Sequence, residues 1–141
     1  MANSIQDRGV IDMKIVVINL MNRLLSGAII KYIQEREEMM PIRVNHDQTL
    51  KEPCDTTLAH KADILLMETT LVHPFTLEER LKTAHQVKER LPHCKVVLLC
   101  DENAHPSLAE KVKKAKKEGS IDSFFYTSVS GEYISAMLDA L

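Results

Sequence analysis

Short apolar runs alternate along this chain with longer segments in which apolar residues recur at helical spacing. A short apolar run is typical of a strand buried in a parallel sheet, and a spacing of three or four residues indicates an amphipathic helix. The pattern predicts five strands, over residues 15–18, 42–44, 63–68, 95–100 and 123–126. The second run alternates in polarity, which suits an edge strand with one wet face.

A helical segment is predicted after each strand. The first covers about residues 21–37 and has a broad apolar face, made of Leu24, Leu25, Ala28, Ile29, Tyr32 and Ile33. A weak signal predicts a short second helix that Asp55 caps, with Leu58 and Ala59 inside it. The last helix is predicted to have an apolar stripe of Ile134, Met137, Leu138 and Leu141.

Capping residues mark the ends of the other helices. Thr76 and Glu79 form the Thr-x-x-Glu pattern of a capping box at the start of the third helix. Pro106 suits the first position of the fourth helix, and Gly119 suits its C-terminal end. Ser130 can cap the start of the last helix.

The alternation of strands and helices predicts one α/β domain over residues 13–141, with residues 1–12 as a flexible N-terminal tail. Right-handed crossovers place all the strands in one parallel sheet with helices on both faces, a doubly wound (βα)5 domain with three layers, α/β/α. The functional site of such a fold lies at the carboxyl ends of the strands, near the switch point between the first and third strands. The residues expected there are Asn19, Glu68, Cys100, Asp101 and Thr127.

The composition argues against several classes of protein, namely nucleic-acid-binding, disulfide-rich, zinc-binding and membrane proteins. The 141 residues have a formal net charge of −2 at pH 7, so overall charge gives no indication of nucleic-acid binding by this domain. Three cysteines without a Cys-x-x-Cys pair indicate neither a disulfide framework nor a zinc site. We expect a cytoplasmic protein without membrane contact, because no apolar run has the length of a membrane span and the N-terminus lacks a signal-peptide pattern.

Four segments resemble the receiver domain of two-component response regulators, and one of them, residues 95–100, is similar to the family's fourth strand. Residues 62–68, Ala-Asp-Ile-Leu-Leu-Met-Glu, are similar to the family's third strand, which ends in the Asp that accepts phosphate. Residues 112–120 resemble the end of its fourth helix, and residues 124–130 resemble its aromatic-x-x-Lys-Pro-Val-Ser segment. The resemblance covers nearly the whole chain after residue 13. It implies a CheY-like fold with strand order 2-1-3-4-5, phosphorelay signalling, and protein partners such as a histidine kinase or an output protein.

The same resemblance identifies reactive positions that differ from the family. The corresponding residues are Asn19 and Leu20 for the magnesium-binding acidic pair, Glu68 for the acceptor Asp, Cys100 for the fourth-strand hydroxyl residue, and Thr127 and Ser128 for the fifth-strand Lys-Pro. A further switch position, the aromatic one, corresponds to Phe124. Phosphoryl transfer to a carboxylate needs a metal ion and cationic groups to offset the negative charges. We therefore expect a non-phosphorylatable pseudo-receiver that is not an enzyme and has no resident cofactor or metal.

Glu68 itself has two interpretations. Its extra methylene could let the carboxylate imitate the reach and charge of a phospho-aspartate, or the residue could simply end a buried strand. Asp101 and Glu102 could join it in an acidic cluster that binds a cation, and the alternative is a solvated loop. For Cys100 we expect an inert buried thiol rather than a redox sensor.

The predicted fourth helix carries a local basic cluster. Its members are Lys111, Lys113, Lys114, Lys116 and Lys117. Helical spacing places most of them opposite the apolar stripe, as a solvated face or as a surface for an acidic partner. In receivers the fourth helix, fifth strand and fifth helix form the usual signalling and dimer face. The resemblance therefore implies a partner face with Lys113, Lys117, Tyr126 and Tyr133, and it leaves a homodimer open.

Two alternatives also stay open at this level. A conventional receiver would bind magnesium and accept phosphate from a histidine kinase. A small flavodoxin-like enzyme or cofactor-binding domain fits less well, because residues 20–24 lack the Gly, Ser and Thr that hold a flavin or nucleotide phosphate.

Overall fold

The structure, a computed structural model, describes residues 13–45 and 52–141, and the predicted tail over residues 1–12 lies outside these ranges. Its strands are β1 (Lys14–Asn19), β2 (Met39–Arg43), β3 (Ile64–Glu68), β4 (Lys95–Cys100) and β5 (Ser123–Tyr126). Its helices are α1 (Arg23–Gln34), α2 (Glu52–His60), α3 (Leu77–Arg90), α4 (Pro106–Lys117) and α5 (Gly131–Asp139). None of the helices in these two ranges is long and apolar enough to cross a membrane.

The strands form one parallel sheet in the order β2-β1-β3-β4-β5. The predicted doubly wound fold and its strand order are therefore confirmed. β3 lies at the centre of the sheet, and all five of its residues are buried. A strand covered on both faces has no wet side, which explains why its sequence is apolar from Ile64 to Met67.

Two apolar cores lie on opposite faces of the sheet. On one face α2, α3 and α4 pack against strand residues such as Leu65 and Leu98. On the other face α1 and α5 pack against residues such as Leu66 and Leu99. Successive side chains of a strand point to opposite faces, so neighbouring residues of β3 and β4 belong to different cores.

The predicted capping residues of α3, α4 and α5 are confirmed. Thr76 Oγ1 accepts the Glu79 backbone N–H at 3.4 Å and donates to the Glu79 carboxylate at 2.9 Å. Ser130 Oγ accepts the backbone N–H three residues further on at 3.1 Å. Pro106 is the first residue of α4. Gly119 follows α4 with φ of +83°, the left-handed conformation in which glycine commonly ends a helix.

The predicted apolar faces of α1 and α5 are too broad. Leu24 is 89% exposed, whereas Ile29 and Ile33 are fully buried. Each helix contacts the sheet along a narrow stripe, because a straight helix lying on a sheet covers only the side that faces it. For the same reason Met137, near the end of α5, is 38% exposed. Leu141, also predicted to lie on the apolar stripe, lies beyond the last residue of α5 and is 40% exposed.

Some predicted boundaries are also wrong. Helix α1 begins only at Arg23, because the Asn22 side chain accepts the Leu25 backbone N–H at 3.1 Å and caps the helix there. Helix α2 already includes Glu52, so Asp55 lies in its first turn and is not its N-cap.

The second strand is β2, over Met39–Arg43 rather than residues 42–44, because pairing with β1 already begins at Met39 opposite Lys14. Pro41 lies within this strand although it has no N–H. It is tolerated because β2 is an edge strand, where an N–H on the outer side has no partner strand.

Candidate functional site

The carboxyl ends of the strands bring the predicted site residues to one edge of the sheet. Asn19 ends β1, Glu68 ends β3, Cys100 ends β4, and Thr127 directly follows β5. The strand register pairs Asn19 with Met67, so Glu68 extends one residue beyond the end of β1. Glu68 is therefore positioned to contact the loop that leads from β1 into α1.

The carboxylate of Glu68 binds that loop directly. Its Oε1 accepts the backbone N–H of Met21 at 2.8 Å and that of Asn22 at 2.9 Å. Asn22 is the N-cap of α1, so the negative charge lies at the positive end of a helix dipole. Glu68 is only 7% exposed. The carboxylate thus fixes the β1–α1 loop to the end of β3.

The two residues at the expected acidic pair have structural roles. The Asn19 side-chain amide donates to the carbonyl oxygen of Val44 at 3.0 Å and to that of Asn45 at 3.4 Å. Leu20 is 4% exposed and packs in the core between the sheet and α1. Neither residue carries a charge, so this position adds no carboxylate oxygen beside Glu68.

A buried arginine that the sequence analysis missed lies beneath the same strand ends. Arg80, on α3, is 4% exposed. Its Nε donates to the backbone oxygen of Glu68 at 2.8 Å, and a terminal nitrogen donates to that of Asn19 at 3.4 Å. Its other terminal nitrogen lies 3.5 Å from the sulfur of Met67. The guanidinium therefore joins the ends of β1 and β3.

The environment keeps Arg80 charged despite its burial. Burial lowers the pKa of Arg80 to about 10, and the negative charges of Glu68 and Glu79 oppose that shift. The Phe75 ring centre lies 5.0 Å from the guanidinium carbon, a favourable cation–π arrangement. Arg80 is therefore a buried cation at neutral pH.

A sequence signal for Arg80 did exist. The residue lies three positions after Leu77 and four before Ala84, on the apolar stripe of a predicted amphipathic helix. A charged residue within such a stripe must either reach the surface or find polar partners in the interior. The stripe could therefore have identified Arg80 as unusual, although it could not have identified the two carbonyl oxygens that it contacts.

The remaining switch positions are packed rather than open. Cys100 is fully buried on the side of the sheet that α2, α3 and α4 cover, and Thr127 is half-buried with its N–H bonded to the Cys100 carbonyl at 3.0 Å. Phe124 packs against the Tyr126 ring at 5.5 Å between centres. Burial raises the pKa of the Cys100 thiol to about 11, and the charges of Glu102 and Asp101 add to that shift.

We expect the Cys100 thiol to be unreactive in the folded protein. A pKa raised from 9 to about 11 lowers the thiolate fraction about 100-fold, and full burial excludes the reagent as well. Iodoacetamide labelling near neutral pH, read by peptide mass spectrometry, should be at least that much slower in the native protein than in urea. Rapid native labelling of Cys100 would instead support a redox-sensing role.

The acidic loop after β4 makes local contacts instead of joining Glu68. Asp101 Oδ1 accepts the backbone N–H groups of Asn103 and Ala104, each at 3.0 Å. Glu102 Oε2 accepts the Ser128 hydroxyl at 2.7 Å. Within the two described ranges, no three His, Cys, Asp or Glu side chains lie close enough together to hold a metal ion. The acidic cluster considered from the sequence is therefore not formed by the residues described.

The residues of the expected partner face lie on three different elements. Lys113 and Lys117 are exposed on α4, and Tyr126 is half-buried on β5. Tyr133, on α5, is 50% exposed and packs edge-on against Phe125 at 6.3 Å. The lysines lie on the solvent side of α4, as its spacing predicted.

Comparison with known proteins gives a fold match only. No protein-family model matches the sequence, and no curated protein matches it. Among solved structures, the chemotaxis protein CheY4 of Vibrio cholerae is 12% identical with a TM-score of 0.68, over 91% of this chain and 98% of that one. The receiver domain of the response regulator AraT from Geobacillus stearothermophilus is 14% identical with a TM-score of 0.65, over 92% of each chain. This chain has the fold of a response-regulator receiver domain.

The receiver fold also resembles part of a different kind of protein. A cobalamin-binding protein from Desulfitobacterium hafniense is 14% identical with a TM-score of 0.60, over 91% of this chain but only 58% of that one. At such identities the similarity establishes the architecture alone. Function must therefore be argued from the residues at the sheet edge.

Proposed function

We propose that this chain is a receiver-like signalling module that is not switched by phosphorylation and that acts by binding other proteins. The observation that carries the proposal is the state of Glu68. Its Oε1 is already bonded to two backbone N–H groups, and its neighbours Asn19 and Leu20 bring no further carboxylate. A carboxylate in this position holds the loop together and is a poor nucleophile for a phosphoryl group.

The charges around Glu68 also favour a fixed structure over phosphoryl transfer. A phosphoryl group approaching a carboxylate needs a metal ion and free cationic groups. The buried cation at this site is Arg80, whose guanidinium is committed to the backbone oxygens of Glu68 and Asn19. It stabilises the strand ends and has little freedom to follow a transferred phosphate.

We further propose that Glu68 holds the module in one signalling state. In a switched receiver, a change at the end of the third strand would have to move the neighbouring loops. Here the Glu68 side chain is hydrogen-bonded to the β1–α1 loop, and Arg80 bonds β1 to β3. The consequence is an output surface of constant shape, recognised by a kinase, an output protein or a second copy of this chain.

The proposal includes no enzymatic activity and no resident cofactor, and it excludes direct nucleic-acid binding by this domain. A cytoplasmic location is part of it, because the three cysteines are all unpaired and buried.

A corrinoid- or flavin-binding domain is the second candidate, since one protein of similar fold is described as cobalamin-binding. The N–H groups of the β1–α1 loop, which could hold a cofactor phosphate, are bonded to Glu68 instead. A visible absorbance band of the purified chain would favour that second candidate.

Phosphorylation of the full chain tests the main proposal. Incubation with acetyl phosphate and magnesium is expected to leave the intact mass unchanged. Beryllofluoride with magnesium is expected to leave the amide resonances of Met21, Asn22 and Glu68 in place. A conventional receiver treated in parallel serves as the positive control. A phosphoryl adduct that disappears in Glu68→Gln would overturn the proposal and make the chain a conventional receiver.

A further inference from the structure

An open groove lies between the start of α3, the start of α4 and the loop that connects β3 to α3. Its volume is about 450 Å³. Its walls are mostly apolar and include Leu71, Leu77, Leu81 and Leu108. Its lining residues include neither Glu68 nor Tyr126 and Tyr133, and its α4 side belongs to the helix that also carries Lys113 and Lys117.

The connecting loop holds two aliphatic side chains in water. Leu71 is 65% exposed and Val72 is 60% exposed. They are neighbours in the sequence, and Leu71 forms part of the groove wall. Solvent-facing aliphatic residues grouped beside an apolar groove mark an interaction site more often than an isolated exposed leucine does.

The loop that presents these side chains is braced by its own hydrogen bonds. The Thr70 N–H donates to the Phe75 carbonyl at 2.8 Å, and the Phe75 N–H donates to the Val72 carbonyl at 2.7 Å. The hydroxyl of Thr69 also donates to the Phe75 carbonyl, at 2.9 Å. Phe75 is 5% exposed and anchors the loop beside Arg80. A braced loop loses little conformational freedom when a partner binds, which favours affinity.

The charges around the groove indicate what kind of segment it would accept. Lys111 lies at the α4 rim, and Lys114 follows three residues later on the same helix face. Both are exposed, in a chain whose formal net charge is −2. Glu78 lies on the opposite rim, at the start of α3. Acidic groups of a partner would therefore be attracted to the α4 side and repelled from the α3 side.

We propose that this groove is a docking site for a segment of a partner protein with one or two large apolar residues next to Asp or Glu residues. The apolar residues lie against Leu71, Leu77 and Leu108, and the acidic residues lie beside Lys111 and Lys114. The inference rests on the proposed function only in that the chain acts by binding proteins, and it needs no particular chemistry at Glu68.

Selection from a random peptide library displayed on phage, against the immobilised full chain, tests this inference. Enriched peptides are expected to combine an apolar anchor with neighbouring acidic residues. A synthetic peptide of the enriched sequence should bind the double variant Leu71→Ser/Val72→Ser at least about tenfold more weakly than the wild type. Lys111→Glu should weaken binding about three- to tenfold, with a smaller salt dependence.

Two matched variants on the other face of the molecule serve as controls. Leu24→Ser removes an aliphatic side chain that is 89% exposed on α1, and Lys31→Glu reverses an exposed charge on the same helix. Neither should change peptide binding by more than about twofold. The phosphorylation test at Glu68 is a separate measurement, so its outcome does not decide this one.

Several results would overturn the docking site. They are the absence of any enriched peptide, enrichment of basic peptides, and equal weakening by the groove variants and the α1 controls. Sedimentation of the full chain adds a further criterion. A concentration-dependent dimer that Leu71→Ser/Val72→Ser abolishes would make a second copy of this chain the occupant and would also overturn the proposal.

Discussion

Replacing Arg80 with methionine is expected to lower the free energy of unfolding by about 3–5 kcal/mol. The change leaves the backbone oxygens of Glu68 and Asn19 without their donors in a buried region. It also leaves the buried Glu68 carboxylate without the nearby positive charge. Methionine fills a similar volume, so the cost comes from lost polar partners more than from a cavity. Urea denaturation followed by circular dichroism measures it.

Two variants separate the causes of that loss. Arg90→Met removes an exposed arginine from the same helix and should cost no more than about 0.5 kcal/mol. Arg80→Lys keeps the charge but has no planar fork that can reach two carbonyl oxygens, so its stability should lie between that of Arg80→Met and the wild type. If Arg80→Met costs no more than Arg90→Met, the guanidinium does not join the strand ends as described.

Replacing Glu68 with glutamine is expected to loosen the β1–α1 loop and to cost about 1.5–3 kcal/mol. The neutral amide oxygen accepts the Met21 and Asn22 N–H groups more weakly than the carboxylate does, and it lacks the favourable interaction with the α1 dipole. Hydrogen exchange of those two amides, measured by NMR, should become about 10- to 100-fold faster. Glu68→Asp should have a similar effect, because a side chain shorter by one methylene reaches the loop poorly.

Glu78→Gln is the matched control for this prediction, because Glu78 is exposed and lies in the first turn of α3. It should leave the exchange of Met21 and Asn22 unchanged. A double-mutant cycle between Glu68→Gln and Arg80→Met should give a coupling free energy of about 0.5–3 kcal/mol. Unchanged exchange in Glu68→Gln would show that the carboxylate does not hold the loop.

The same pair of variants tests whether Glu68 imitates a phosphorylated residue. If the carboxylate sets one signalling state, then Glu68→Asp and Glu68→Gln should alter oligomeric state or partner affinity as well as loop exchange. Loss of the loop contact with no change in either property would leave Glu68 with a purely structural role. Stability and signalling are thus separable at this position.

Much of the fold could be predicted because its signals are local. Residues 64–67 and 96–100 are all apolar, since β3 and β4 are covered on both faces. The side chains of capping residues such as Thr76 and Ser130 accept the backbone N–H three residues further on, so these helix starts can be predicted from the local sequence. Predictions of which helical residues are buried were wrong where burial depends on contacts with distant parts of the chain. Leu24 fits the helical period, yet it is 89% exposed, and none of the elements in the described ranges covers it.

The site was predicted only in part, for a related reason. The strand-end rule located Glu68, Asn19 and Cys100 correctly, because each ends a strand of a parallel sheet. It could not reveal that Glu68 bonds amides 46 and 47 residues earlier in the chain. Nor could it reveal Arg80, whose partner oxygens lie 12 and 61 residues away. The groove beside Leu71 likewise combines residues of one loop and two helices.

By itself, then, the sequence determined the order of elements, the parallel sheet and the carboxylate at the end of its central strand. These follow from hydrophobic period, capping and chirality, which act over a few residues or apply to every βαβ unit. Only the tertiary structure decided that this carboxylate is bonded to a loop and that a buried arginine joins the strand ends beneath it. Such contacts depend on which side chains meet when distant segments pack, and local patterns do not contain that information.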